Sequence, residues 1–444
     1  MISGKERGLR VLRELGLPVP PWFAIGPAEC RAGVTDGLVT DGLAAELADG
    51  VRALETATGL HFGAAGGGAR GGTEDDAGGG TGGGGGEGLL VSVRSGAAVS
   101  MPGMMSTVLG VGTRDALHRA VATVVGSWDS PRAVTYREVH GIPHDLGTSV
   151  IVQAMVHGDR DERSCSGVAF GRDPNTGEPE LYGEIVRQAR GDAVVSGERP
   201  TEPLTVLPEP VRAALRAALD RLEVHHRDAC HVEFTVESGS LWFLQVRPGG
   251  LAGRAAVRVA VDLADAGLIE RREAVRRVSP RHVRSARTPT ISRTGNGSDL
   301  IARGRGASPG VACGRIALTA DHAAQMAAHG PVVLVRPHTS PLDMHGLAAA
   351  AGVVTVLGGP TSHAAVVARA MGKPAVVQAG LSVDLPASRV RVGEHSYPEG
   401  TVVTIDGSSG EIVLGEAAVT SGAADDHLRR LLEWAAPPGA DPPV

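Results

Sequence analysis

From Gly310 onward, short apolar segments of strand type alternate with segments of helical period, and this alternation limits the chain's folds more than any other feature. Strands are expected at 315–318, 332–335, 353–357, 375–377, 402–405 and 412–414, and helices at 320–328, 341–350 and 362–372. Regular alternation of the two periods over roughly 110 residues specifies a sheet covered by helices, a domain with its own core. Residues 284–306, with Thr288-Pro289-Thr290 and Gly295-Asn296-Gly297-Ser298, read as an exposed linker ahead of it. At roughly 100 to 200 residues per domain, the 444 residues make two to four domains.

The upstream part is less regular. Residues 1–62 read as short helices and strands, with Leu9, Leu12, Leu15 and Leu17 ahead of the turn signal Pro18-Val19-Pro20-Pro21. Much of the excess in the chain's 63 glycines falls in one run, 63–88, which has too little apolar surface to offset its ordering entropy and reads as a disordered insertion. It contains no G-x-x-x-x-G-K-[ST] phosphate loop. Strands are expected at 89–94 and 150–156 and helices at 114–126, 131–139, 210–226 and 251–278, with a tail helix at 424–435 before Pro437-Pro438-Gly439.

Charge and composition exclude some partners. With 43 basic and 49 acidic side chains the net charge is -6, which gives a nucleic-acid backbone or an acidic membrane no electrostatic footprint. No apolar run approaches the roughly 18 residues of a membrane helix, and the amino terminus lacks a signal pattern, so a cytoplasmic location is expected. Cys30, Cys165, Cys230 and Cys313 form no C-x-x-C pair, which fits a reducing compartment. The only lysines are Lys5 and Lys373. In so arginine-biased a chain, a retained lysine suggests a place for a compact ammonium, typically against phosphate, although chance survival explains it equally.

Two segments carry chemistry. In Gly358-Gly359-Pro360-Thr361-Ser362-His363 followed by Ala364-Ala365-Val366-Val367-Ala368-Arg369, a glycine turn leads into a helix whose first turn holds a histidine. The partial positive charge there disfavours imidazolium, and the free N–H groups suit an anion, so His363 is a candidate for covalent phosphoryl transfer. Arg369, some 240° further round, is not expected to reach the same group at roughly 100° per residue. A capping-turn histidine without chemistry fits the same spacing.

The second segment, His231 to Arg247, alternates on either side of Ser238-Gly239-Ser240 and reads as a β-hairpin. With all three of those residues in the loop, Glu233 falls opposite Gln245 and His231 opposite Arg247, gathering a carboxylate, an amide oxygen and a guanidinium on one face. Such a face suits Mg²⁺ and phosphate. A two-residue loop would split them between faces, and an amphipathic hairpin with a wet face fits the pattern as well. His225, His226, Cys230 and His231 match no standard zinc spacing.

Taken together, these segments resemble the pyruvate, phosphate dikinase family of enzymes that use phosphoenolpyruvate. The resemblance is carried by Gly4-Lys5 with Leu15-Gly16-Leu17-Pro18-Val19-Pro20, by Val91-Ser92-Val93-Arg94-Ser95-Gly96-Ala97 with Ser100-Met101-Pro102-Gly103-Met104-Met105, and by Gly167-Val168-Ala169-Phe170. It continues through Asn175-Thr176-Gly177-Glu178, Tyr182-Gly183-Glu184, Leu244-Gln245-Val246-Arg247 and the His363 segment. The implied fold is a multidomain chain of α/β and α+β type, an ATP-grasp nucleotide-binding domain followed by a small β/β/α swivelling phosphohistidine domain. The implied boundaries are 1–248 for the ATP-grasp domain with its insertion at 63–88, 249–283 for a helical connector, 284–306 for the linker, 307–418 for the phosphohistidine domain and 419–444 for the tail.

The resemblance also implies roles. Lys5, Arg94 and Arg247 hold ATP phosphates, Glu233 and Gln245 hold Mg²⁺, His363 is the phosphocarrier, and Thr361 is a candidate regulatory position. The implied activity passes the β-phosphoryl of ATP to His363 and then to an acceptor, with phosphate or water as co-substrate. Three departures stand out: the family's barrel for phosphoenolpyruvate and pyruvate should begin where this sequence stops, near Trp434; His231 stands where an acidic residue is expected; and a helical stretch before Trp128 is absent. The expected acceptor is therefore pyruvate on a separate subunit or another small molecule. The alternative is a binding or regulatory relative that has lost turnover.

Overall fold

The computed structural model describes residues 4–63, 88–99, 101, 104–190, 199–287, 289–292, 300–420 and 425–436. The glycine-rich run expected to be a disordered insertion lies, but for its two end residues, outside the described residues, as do 293–299 of the expected linker and Pro437-Pro438-Gly439. The chain divides into two compact units, one of residues 1–156 with 242–245, the other of 157–241 with 246–444. The region expected to bind ATP, 1–248, thus contributes to both.

In the first unit, helix α1 (Gly4–Glu14) precedes strand β1 (Trp22–Ile25), helix α2 (Asp41–Thr58), strands β2 (Val91–Ala97) and β3 (Thr107–Val111), helices α3 (Arg114–Gly126) and α4 (Pro131–His140), and strand β4 (Thr148–Ala154). The antiparallel sheet runs β1-β4-β2-β3. Leu43, Leu47, Val51 and Leu54 of α2 recur at helical spacing, as do Leu117, Val121 and Val124 of α3, and both stripes bury against Val91, Val93, Val150 and Val152. Thr113 caps α3 by accepting from the Ala116 N–H, and Gly59 ends α2 in the left-handed region at φ 70°.

The second unit opens with β5 (Cys165–Phe170), β6 (Tyr182–Arg187), β7 (Glu202–Pro203), α5 (Glu209–His226) and β8 (Cys230–Glu237). With β9 (Ser240–Pro248), whose middle residues 242–245 are counted with the first unit, they give a sheet of order β9-β8-β5-β6-β7. Helices α6 (Gly253–Asp265), α7 (Arg271–Arg277) and α8 (Pro280–Ala286) follow. The single helical run expected over 251–278 is broken, because α6 stops ahead of Gly267, whose φ of 70° no helix continues.

The final sheet is larger than the alternation suggested. It comprises β10 (Leu300–Arg303), β11 (Arg305–Ser308), β12 (Val311–Ala317), β13 (Val332–Arg336), β14 (Gly352–Thr355), β15 (Ala375–Val377), β16 (Val402–Asp406) and β17 (Glu411–Leu414), in the order β10-β17-β16-β12-β13-β14-β15-β11. Residues 284–306, read as linker, instead include the end of α8, the short strand Thr290–Ile291, β10 and the start of β11. Helices α9 (Ala320–Ala327), α10 (Met344–Ala349) and α11 (His363–Met371) accompany the parallel strands β12 to β15, and α12 (Asp426–Ala435) joins the core of α6 and α7 through Leu428 and Leu431. A small antiparallel sheet of Ser382–Asp384, Arg389–Val392 and His395–Pro398 was not anticipated. Among the described residues no helix is long and apolar enough to cross a membrane.

Candidate active site

Antiparallel register assembles one face of the sheet in the second unit. His231 pairs with Phe170 and Phe170 with Tyr182; Glu233 pairs with Val168 and Val168 with Glu184; Thr235 pairs with Ser166 and Ser166 with Val186. Side chains opposite one another across neighbouring strands share a face, so His231, Glu233, Tyr182 and Glu184 lie on one surface. The His231 ring stacks on Phe170 with centroids 4.8 Å apart, and its Nδ1 is buried without a hydrogen-bond partner. Burial and the nearby Arg247 push its pKa down to about 4, against the pull of Glu233, so His231 is neutral near pH 7.

The turn differs from the expected one. Ser240 already belongs to β9, leaving only Ser238 and Gly239 between the strands, at φ 48° and 87°. Two left-handed residues in succession match the twist of a two-residue hairpin. Strict alternation from that turn would set Arg247 opposite Cys230, on the other face. Yet the Gly249 N–H donates to the Ala229 carbonyl at 2.8 Å, a pairing one residue off that alternation, and Nη2 of Arg247 approaches Oε1 of Glu233 to 4.0 Å. Glu233 and Arg247 are together, as expected, although by another route. Gln245, 3% exposed, is counted with the first unit, as are Lys5 in the first turn of α1 and Arg94 of β2, which pairs with Thr107 and Ile151.

His363 opens the nine-residue helix α11, as the spacing predicts. Its Nδ1 lies 3.3 Å from Oγ1 of the buried Thr339, and its Nε2 is buried without a partner. The pKa is lowered from the ordinary histidine value, first by burial and with Asp343 pulling the other way, so desolvation rather than the helix terminus is the leading cause. Arg369 points elsewhere, its Nη1 donating to the carbonyl of Ala307 at 2.7 Å.

Glu184 links the two segments. Its carboxylate is fully buried; Oε1 accepts from the Thr361 N–H at 2.8 Å and from the Thr361 hydroxyl, and Oε2 accepts from the Thr201 hydroxyl at 2.6 Å. Gln378 in turn donates to Thr201 Oγ1 at 2.8 Å. A Cβ at Gly359 would overlap the Glu184 carboxylate, which explains the glycine there. Neither Glu184 nor Thr339 stood out in the sequence as a site residue: a lone glutamate in a strand reads as surface, and Thr339 belongs to no motif.

The remaining candidates resolve simply. Nζ of Lys373 donates to the carbonyls of Ala348, at 2.7 Å, and Ala350, so this lysine closes the C-terminal end of α10. Burial pushes the Cys230 thiol up, against thiolate ligation, and no group of three His, Cys, Asp or Glu among the described residues could hold a metal.

The family model for the pyruvate phosphate dikinase AMP/ATP-binding domain matches residues 80–212, and that for the mobile domain of PEP-utilising enzymes matches 328–410. The chain thus carries matches to two domains found in pyruvate, phosphate dikinase and other PEP-utilising enzymes. It is 34% identical to pyruvate, phosphate dikinase of Rhizobium meliloti (strain 1021), 32% to that of Clostridium symbiosum and 33% to pyruvate, phosphate dikinase 2 of Zea mays, each over 98% of this chain. It spans 58% of the length of each of these dikinases. In chain order, an AMP/ATP-binding domain thus precedes a PEP-utilising mobile domain. Among solved structures, D-cycloserine synthetase DcsG overlaps with a TM-score of 0.27 at 15% identity over 55% of this chain and 62% of that one. D-alanine–D-alanine ligase from Helicobacter pylori overlaps with a TM-score of 0.28 at 9% identity over 63% and 59%.

Proposed function

We propose that this chain is an ATP-dependent phosphotransferase that takes the β-phosphoryl group of ATP onto His363 and passes it to an acceptor. The observation that carries the reading is the Glu184–Thr361 contact, which joins the histidine loop to the same sheet face that bears Glu233, beside Arg247. In this reading Lys5, Arg94 and Arg247 hold the ATP phosphates. Glu233 and the amide oxygen of Gln245 hold Mg²⁺, an ion that needs only one or two protein oxygens when phosphates supply the rest. Held there, the metal would supply positive charge against the phosphates, and His363, neutral through its lowered pKa, is the nucleophile.

Nε2 is closed off while Thr361 rests on Glu184, so phosphorylation requires that contact to open. Thr361 is the regulatory position, because a phosphate on its hydroxyl would face the Glu184 carboxylate and drive the two apart. The acceptor is pyruvate or another small molecule, with orthophosphate or water as co-substrate.

The closed Nε2 also favours a second reading, a binding or regulatory relative without turnover. Incubation with Mg²⁺ and ATP labelled at the β-phosphate separates the two. Acid-labile label on the wild-type chain, absent in His363→Ala, is expected; an unlabelled wild-type chain would leave only the second reading.

A further inference from the structure

Ser362 is placed where a helix-capping serine belongs, yet it does not cap. It occupies the N-cap of α11 with φ -64° and ψ 164°, but its side chain accepts no hydrogen bond from the first turn. Among the described residues Thr113, Ser279, Thr319 and Asp425 cap their α-helices in the ordinary way, whereas the half-buried Thr40 and Ser130, like Ser362, do not. Ser362 is only 4% exposed and its Oγ has no hydrogen-bond partner. A buried hydroxyl left unpaired is destabilising, because it has lost its water without gaining a partner.

The next residue repeats the pattern, since Nε2 of His363 is likewise buried and unpartnered. The first N–H groups of α11 have no acceptor within the helix either. Donors and a nucleophile therefore stand together at one helix end, and what they lack is an anion. A phosphoryl group is the anion whose arrival satisfies all of them: one bond to nitrogen, with oxygens left over as acceptors.

We propose that Ser362 is a catalytic residue whose hydroxyl donates a hydrogen bond to an oxygen of the phosphoryl group while that group bonds to Nε2 of His363. The inference rests on the phosphotransfer reading above and names a residue which that reading leaves out. In the step, the Nε2 lone pair forms the N–P bond to the β-phosphorus as the bond from that phosphorus to the oxygen bridging it to the α-phosphate breaks, and the electron pair departs with that oxygen on AMP. The γ-phosphoryl group, still attached to the β, then passes to the phosphate or water that serves as co-substrate and leaves the β-phosphoryl on Nε2. The ring proton stays on Nδ1, donated towards Thr339 Oγ1, and the serine proton stays on Oγ.

The test uses the full chain with Mg²⁺ and ATP labelled at the β-phosphate, followed as single-turnover labelling of His363. Ser362→Ala should label about 100-fold more slowly, the usual cost of one oxyanion donor, with ATP affinity changed less than threefold. Its melting temperature should be unchanged or raised, because an unpaired buried hydroxyl has gone. Ser362→Cys, with a weak donor, should label at an intermediate rate, and Ser362→Gly, which keeps the N-cap backbone tolerant, should label as slowly as the alanine variant. Labelling of Ser362→Ala within threefold of wild type would overturn the proposal. So would a lowered melting temperature in Ser362→Ala with wild-type labelling in Ser362→Gly, the result expected of a structural serine. A wild-type chain that binds ATP but takes no label overturns the phosphotransfer reading and this inference together, whereas a labelled wild type with an unaffected Ser362→Ala overturns this inference alone.

Discussion

His231 and His363 are both held neutral by burial, and each has one ring nitrogen buried without a partner, yet the regions around them differ in what they leave available. His231 lies mid-strand, pinned by its stack on Phe170 and flanked by the charges of Arg247 and Glu233. His363 begins a helix behind a glycine loop, with only a threonine hydroxyl on Nδ1. A lowered pKa does not by itself mark a nucleophile. The strand histidine is fixed as part of a surface, while the helix histidine is attached to a loop that four hydrogen-bonding side chains hold closed.

The largest expected effect tests that difference directly. His363→Asn should abolish acid-labile labelling from ATP, a loss of more than about 1,000-fold for a missing nucleophile, whereas His231→Asn should keep labelling within about tenfold. Equal losses would erase the distinction. The pH profile sharpens it further. The reactive form of His363 is the neutral one and its pKa is lowered in the fold, so the midpoint of the fall in labelling rate at low pH should lie below the ordinary histidine value of about 6.5. A rate that halves above pH 6.5 would contradict the burial seen here.

Next in size is the closure by Glu184. Charge-assisted hydrogen bonds contribute about 1.5–3 kcal/mol each, and Thr361 donates two to this carboxylate. Glu184→Gln should therefore raise the rate at which diethyl pyrocarbonate modifies His363 by at least about tenfold, through exposure of Nε2. An unchanged rate would mean that the loop is held shut by something other than this contact.

These contacts also show where sequence reasoning stops. The strands and helices of the second unit were largely legible, because Val332–Arg336 and Gly352–Thr355 are continuous apolar runs and α11 is bracketed by a glycine turn and Gly372. The pair Leu300–Arg303 and Arg305–Ser308 was not. Arginines and glycines interrupt its alternation, and Gly306 is needed for a tertiary reason, since a Cβ there would lie 2.5 Å from the carbonyl of Ser408. The hairpin turn was misread by one residue because Ser238 adopts a left-handed φ that asparagine or glycine would have announced. His363 was found from its local motif. Glu184, 177 residues from Thr361 in sequence, acts through a contact that no local pattern encodes.

A smaller effect follows from His231. In the unfolded chain a histidine titrates near 6.5, and in the fold His231 does so at about 4. Between these values the unfolded state binds the extra proton, so stability rises with pH across that window and is lost as pH falls through it. From pH 7 to pH 5 in metal-free buffer this one group should cost about 2 kcal/mol. His231→Gln should remove that share of the difference between urea midpoints at the two pH values; an unchanged difference would place the acid sensitivity elsewhere.

The smallest expected effect separates the two lysines. Lys373 holds carbonyls at the end of α10, and burial lowers its pKa, as expected of an ammonium satisfied by backbone oxygens rather than by a counter-ion. Lys373→Met keeps the aliphatic stem and removes the donor. It should lower unfolding stability by about 1 kcal/mol through the lost cap, without changing the ATP concentration that half-saturates labelling. Lys5→Met should do the reverse, raising that concentration several-fold with little change in melting temperature. If Lys373→Met weakened ATP use instead, the scarcity of lysine in this chain would point to phosphate at both positions, and the second ammonium would have to leave its helix cap to reach it.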